Sequence, residues 1–204
     1  MSQIRYSLAK KTALCLSVVM TFALCLTSCG TKSVPEPKPM GYFRIELPEH
    51  QYALLDTTLP FSFEKSTKAQ VEIIPQKDKS TWLNVKYPDL DASFRFTCLN
   101  VANADSLRRL MISEDKMVKF HYKKAEDVQY SIIRDTNANL WGQIYEIYGK
   151  DVATPFQFWV TDSSHRFVRA TLYFDCTPNN DSLQPVIDYL KEDGMHLIKT
   201  FMWK

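Results

Sequence analysis

From Val128 to Asp175 the chain runs through successive strand-like segments whose connections leave no room for a crossover helix. Val128–Arg134 stops at Asp135-Thr136-Asn137-Ala138-Asn139, and Leu140–Tyr148 leads to a loop ending in Pro155. Phe156–Thr161 turns tightly at Asp162-Ser163-Ser164-His165, and Phe167–Asp175 returns from it. In that last segment Val168, Ala170, Leu172 and Phe174 fall on one face, with Arg169, Thr171 and Tyr173 on the other. Parallel neighbours need a long connection, usually a helix. The short connections therefore predict an antiparallel meander.

The first half of the body carries the same period. In Tyr42–Leu47 the residues Phe43, Ile45 and Leu47 share one face, and Tyr42, Arg44 and Glu46 the other, until Pro48 ends the run. Further strands are expected at Leu59–Glu64, Ala69–Ile74, Trp82–Tyr87 and Ser93–Leu99, where Phe94, Phe96 and Cys98 face together. Aromatic residues at 13% and only five glycines fit a sheet-rich core with few special turns.

Two segments have the longer helical period. Asn103 or Asp105 can cap the first, in which Leu107, Leu110, Met111, Val118 and Tyr122 recur to about Lys124. Arg109, Lys116 and Lys123 lie opposite, read first as a solvated face and second as a contact for phosphate headgroups or an acidic partner. Pro178-Asn179-Asn180-Asp181 opens the second, with Leu183, Val186, Ile187 and Leu190 as its stripe and Leu197, Ile198 and Phe201 continuing it. Pro185 is placed in its first turn. Gly194 marks a weak point costing about 1 kcal/mol against alanine, with a short strand from His196 as the alternative. Together these elements predict an α+β domain: a mainly antiparallel sheet with helices packed on its faces, like an α/β/α sandwich. It is read as a single domain over residues 41–204.

Upstream of that body, Arg5, Lys10 and Lys11 precede the apolar stretch Ala13–Leu26, and no acidic residue occurs before Glu36. Small residues then lead to Cys29, so residues 1–28 read as a secretory signal. The apolar stretch is shorter than the roughly 20 residues of a membrane-spanning helix. Residues 29–40 follow as a spacer: Pro35, Pro37 and Pro39 at alternate positions favour polyproline II, spanning roughly 30 Å if extended. Without the bases of the signal, acids exceed bases by one. That balance excludes a nucleic-acid-binding role, which needs a basic footprint.

Export permits a disulfide between Cys98 and Cys176, the two cysteines of the body; buried free thiols are the other reading. His50, His121, His165 and His196 show no metal-ligand spacing, so no metal and no cofactor are expected. Asp162, Ser163 and His165 sit together at a hairpin tip, where they serve as turn residues rather than a catalytic triad. No linear motif for catalysis is present, and the chain is read as a non-enzyme. Tyr42, Arg44, Glu46, His50 and Tyr52, where spacer meets body, form a candidate interaction face. A second reading is a periplasmic small-ligand-binding module with a pocket lined by Trp141, Tyr145 and Trp159.

Leu26-Thr27-Ser28-Cys29 resembles the lipobox of bacterial lipoprotein signal peptides. The resemblance implies that Cys29 carries a diacylglyceryl thioether, becomes the first residue after cleavage and is acylated on its amine. Pro37-Lys38-Pro39-Met40-Gly41-Tyr42-Phe43-Arg44-Ile45-Glu46-Leu47-Pro48 resembles the opening of the gliding-motility lipoprotein GldD family of the Bacteroidetes. Pro155-Phe156-Gln157-Phe158, Leu172-Tyr173-Phe174, Lys191-Glu192-Asp193 and His196-Leu197-Ile198 are similar to later stretches of that family. The resemblance implies a membrane-anchored lipoprotein required for gliding, tied to type IX secretion, whose partners are other envelope proteins of that apparatus. It implies no catalytic residue; only the lipid-bearing cysteine carries over, onto Cys29. Gly30 after that cysteine, by analogy with lipoprotein sorting, implies an outer-membrane anchor facing the periplasm. The order of elements is also similar to the Mog1/PsbP-like α/β/α sandwich.

Overall fold

The computed structural model describes residues 46–55, 57–76 and 80–204, all within one compact unit, Tyr42–Lys204. Its strands are β1 (Tyr52–Leu54), β2 (Phe61–Ser62), β3 (Glu64–Ser66), β4 (Gln70–Pro75), β5 (Thr81–Tyr87) and β6 (Ala92–Asn100). After helix α1 (Ala104–His121) come β7 (Asp127–Asp135), β8 (Leu140–Tyr148), β9 (Phe156–Thr161) and β10 (Arg166–Phe174). Helix α2 (Asn180–Lys199) and β11 (Met202–Trp203) close the chain. The main sheet has the order β4-β5-β6-β10-β9-β8-β7, every pair antiparallel. The meander after α1 is as expected, and so is the α+β class.

The pleat divides the sheet into two unlike faces. On one, Leu83, Val85, Phe94, Phe96, Phe156, Phe158, Ala170 and Leu172 pack with Val186, Leu190, Leu197 and Ile198 of α2. Two small sheets, β1-β3 and β2-β11, complete that layer, adding Phe61, Phe63 and Phe201 in ring contact at 5.2–6.1 Å. On the other face Leu107 and Val118 of α1 cover Tyr145, Ile147, Trp159 and Phe167. Seven strands span about 29 Å, and one helix covers only about 10 Å. This second face is therefore only partly roofed.

Several expectations change. In the run predicted as a first strand, Glu46 and Leu47 are irregular, and Tyr42 to Ile45 lie outside the described residues. The disulfide does not form: Cys98 is buried and free, Cys176 exposed and free. Cys98 stands opposite Val168 on β10, whereas Cys176 lies past Phe174 at the far end of that strand. The separation is on the order of 25 Å, against a limit of about 7 Å for bridged Cα atoms. Burial pushes the Cys98 thiol up to about 12, leaving it a protonated core group. On α1, Asn103 is the cap, accepting from the Ser106 N–H at 2.9 Å. Met111 and Tyr122, expected on its apolar stripe, are exposed, and Glu114 is buried.

The final helix is unbroken through Gly194 and ends at Lys199, with no strand at His196. It starts at Asn180, so Pro185 falls in the second turn rather than the first and leaves the Asp181 carbonyl without its helical donor. At Gly194 the backbone of α2 lies close against the aromatic floor of the sheet. A Cβ there would sit 2.9 Å from Phe156 Cε1 and 3.1 Å from Phe94 Cζ. Both rings are fully buried and have nowhere to move. Gly194→Ala would gain about 1 kcal/mol of helix propensity but overpack the core at a cost of about 1–3 kcal/mol. A net loss of stability is expected, read as a lower urea midpoint.

Candidate functional site

Two polar features stand out from the core. The first ties the start of the body to α2. His50 Nδ1 lies 2.6 Å from Asp193 Oδ1, and the Tyr52 hydroxyl donates to the same oxygen at 3.0 Å. His50 Nε2 is 3.2 Å from Glu192. Tyr52 is layered between the two histidines, with ring centroids 3.6 Å from His196 and 6.0 Å from His50. His50 also stacks on Tyr189 at 4.2 Å, and His196 Nε2 meets Glu64 at 2.7 Å. Burial, then the Asp193 carboxyl, pushes the Tyr52 and Tyr87 hydroxyls up, so both remain protonated. Asp193 Oδ2 is the oxygen left without a partner of ordinary geometry, and the nearby Tyr87 hydroxyl interacts with this carboxyl through charge and a side-chain hydrogen bond.

Of the candidate interaction face, then, His50 and Tyr52 turn inward onto α2, while Glu46 is exposed. Tyr42 and Arg44, like Cys29, lie outside the described residues. The cluster works as a clasp that holds His50 and Tyr52 against α2. Spacing along the chain gave no hint that His50 and His196 meet across Tyr52. Asp193 gave a faint one: a carboxylate inside the apolar stripe of a helix needs partners.

The second feature is the unroofed part of the sheet. Strand register builds it as three rows across β5, β6 and β10. Trp82 stands beside Thr97 and Arg169, Asn84 beside Arg95 and Thr171, Lys86 beside Ser93 and Tyr173. With Ile74, Asp91 and Asp175 at the rim they enclose an open concavity of about 660 Å³. Each cation is already paired. Lys86 meets Glu72 at 2.8 Å, Arg95 meets Asp175 at 2.9 Å and Arg169 meets Glu114 of α1 at 2.9 Å. Arg95 also lies over the Tyr173 ring at 4.9 Å. Trp82 is 47% exposed at one end. The result is a charge-balanced array of donors, acceptors and aromatic surface, open along its length.

Trp141, Tyr145 and Trp159, anticipated as a pocket lining, are otherwise engaged: the Arg134 guanidinium lies 5.1 Å from the Trp141 ring centroid. Tyr145 and Trp159 are buried beneath α1, where the Tyr145 hydroxyl donates to Asp115 at 2.6 Å. The hairpin-tip residues are turn-formers: Asp162 Oδ1 accepts the N–H groups of Ser164, His165 and Arg166 at 2.8–2.9 Å. Among the described residues no group of His, Cys, Asp and Glu is placed to hold a metal ion.

Two tests follow from these contacts. Asp193→Ala removes the shared acceptor of the clasp and is expected to cost about 2 kcal/mol. Limited proteolysis should then cut faster between Glu46 and Tyr52. At the wall of the array, burial pushes the Glu114 carboxyl up to about 7, against the opposing pull of Arg169. The folded chain thus holds this proton more tightly than the unfolded one, so its contribution to stability falls as pH rises from about 4.5 to about 7. Urea midpoints of wild type and Glu114→Gln, compared across that range, should diverge and then run parallel above it.

Comparison with curated proteins returned no match. Among solved structures, the solution structure of a cyanobacterial PsbP (CyanoP) from Synechocystis is similar at 11% identity, covering 81% of this chain and 99% of that one, with a TM-score of 0.39. The family model of the gliding motility lipoprotein GldD matches residues 32–203. Across nearly all of the body, clasp and array included, the chain belongs to the GldD family of gliding-motility lipoproteins.

Proposed function

We propose that this lipoprotein is a non-catalytic interaction and assembly factor of the gliding and type IX secretion apparatus, held by Cys29 at the outer membrane and facing the periplasm. The observation that carries the reading is the open array over β5, β6 and β10. Protein-binding surfaces draw their affinity from exposed tryptophan, tyrosine and arginine set among satisfied polar groups. Trp82, Tyr173 and Arg95 supply those groups here, and the Arg95–Asp175 pair with the Arg95–Tyr173 contact holds two of them in place before any partner arrives.

The test is photocrosslinking in living cells from Trp82 and, as control, from Lys199 on α2. Trp82 is expected to trap envelope proteins of the gliding or secretion apparatus and Lys199 is not. Trp82→Ala should leave folding intact while weakening that capture by about 2 kcal/mol or more, the range of interface tryptophans. Normal export with no adduct from Trp82 would count heavily against the proposal.

A further inference from the structure

Helix α1 presents to solvent a surface that a merely solvated helix has no reason to carry. On its outer arc Arg109, Ile112, Lys116, Lys119 and Phe120 follow one another at helical spacing. Ile112 is 47% exposed and Phe120 76%. The one carboxylate on this arc is Asp105 in the first turn. The edge strand β7 extends the same surface. Val128 packs into the cluster under α1, and alternation puts Tyr130, Ile132 and Arg134 on its side of the sheet. Tyr130 is 70% and Ile132 78% exposed. Exposed apolar residues scattered singly are ordinary; several on one side, interleaved with cations, mark an interaction surface.

We infer that the outer face of α1, with the neighbouring edge of β7, rests on an anionic phospholipid surface. Three properties select lipid over a protein partner. The arc lies on the side of α1 away from the buried Leu107 and Val118, and its apolar side chains are among the most exposed of the described residues. Its polar groups are lysine and arginine, whose long stems lie along apolar surface while their heads meet phosphate. Its apolar tips, phenylalanine and isoleucine beside tyrosine, are those of helices that lie in a membrane interface.

The anchor adds the geometry. Between Cys29 and His50 the chain can reach on the order of 70 Å, and three layers of structure are about 30 Å thick. A tether leaving on the α2 side can therefore still let α1 touch the bilayer. The lipid at Cys29 retains the protein; α1 sets which way it faces.

The inference rests on that anchor, so the experiment reads the two separately. Full-length lipidated protein is reconstituted into vesicles of phosphatidylcholine with or without phosphatidylglycerol. Co-flotation reports the anchor. Amine-labelling rates at Lys116 and Lys119, against Lys65 and Lys204 as internal references, report α1. On anionic vesicles labelling of Lys116 and Lys119 should slow about fivefold, the effect of one basic residue near such a surface. Added salt should restore it at both lysines, and the Phe120→Ser/Lys119→Glu variant, with its folding unchanged, should restore it at Lys116. Equal rates on both vesicle types despite co-flotation overturn the inference. Protection that appears only when envelope proteins are added overturns it too, and assigns the face to a protein.

Discussion

The structure depends on the pairing of β6 with β10. From Arg166↔Asn100 to Phe174↔Ala92 the two strands match along their whole length, joining a sheet made before α1 to a meander made after it. Without this ladder the chain would hold two narrow sheets, each too small to bury the rings of Phe94, Phe96, Phe156 and Phe158. With it, one face becomes a continuous apolar floor for α2. The other brings Arg95 and Thr97 beside Thr171 and Arg169. Core and array are thus two sides of the same register, and a slip by one residue would exchange them.

The two helices meet unequal demands. Helix α2 approaches closely enough that Gly194 leaves space only for itself above Phe156 and Phe94, and two small sheets fill the remainder of that layer. Of the apolar residues of α1, only Leu107 and Val118 are buried against the sheet, with Leu110 partly so. Beyond Leu99 at the end of β6, strands β5 and β6 offer it little apolar floor on that side, since Trp82, Asn84, Lys86, Ser93, Arg95 and Thr97 occupy it. The open array follows from that mismatch, as does the exposure of the outer side of α1.

Function in this reading is a matter of placement. A lipid at Cys29 holds the body near a membrane, the His50–Tyr52–Asp193 clasp holds the start of the described body against α2, and the array is left open to a partner. The buried Glu114–Arg169 pair links α1 to the floor of the array, so the lipid-facing and partner-facing elements share one rigid contact. Reactive side chains are consumed in structure: His50 and His196 by carboxylates, Asp162 by backbone N–H groups.

Periodicity and turn chemistry by themselves determined the meander, both helices and the α+β class, because each is local. Val168, Ala170, Leu172 and Phe174 declare a face without help from the rest of the chain, and Asn103 caps its helix within one turn. Tertiary structure alone decided what lies across from what. Nothing local says that Cys98 falls opposite Val168 and so far from Cys176, or that Tyr145 and Trp159 lie under a helix rather than in a pocket. Nor does anything local show that Gly194 is a contact point rather than a weak point, or that Tyr52 stacks on His196. Each of these is fixed by register and packing between distant segments. A strand's own pattern shows that it has two faces, but the neighbouring strands determine which of them remains open.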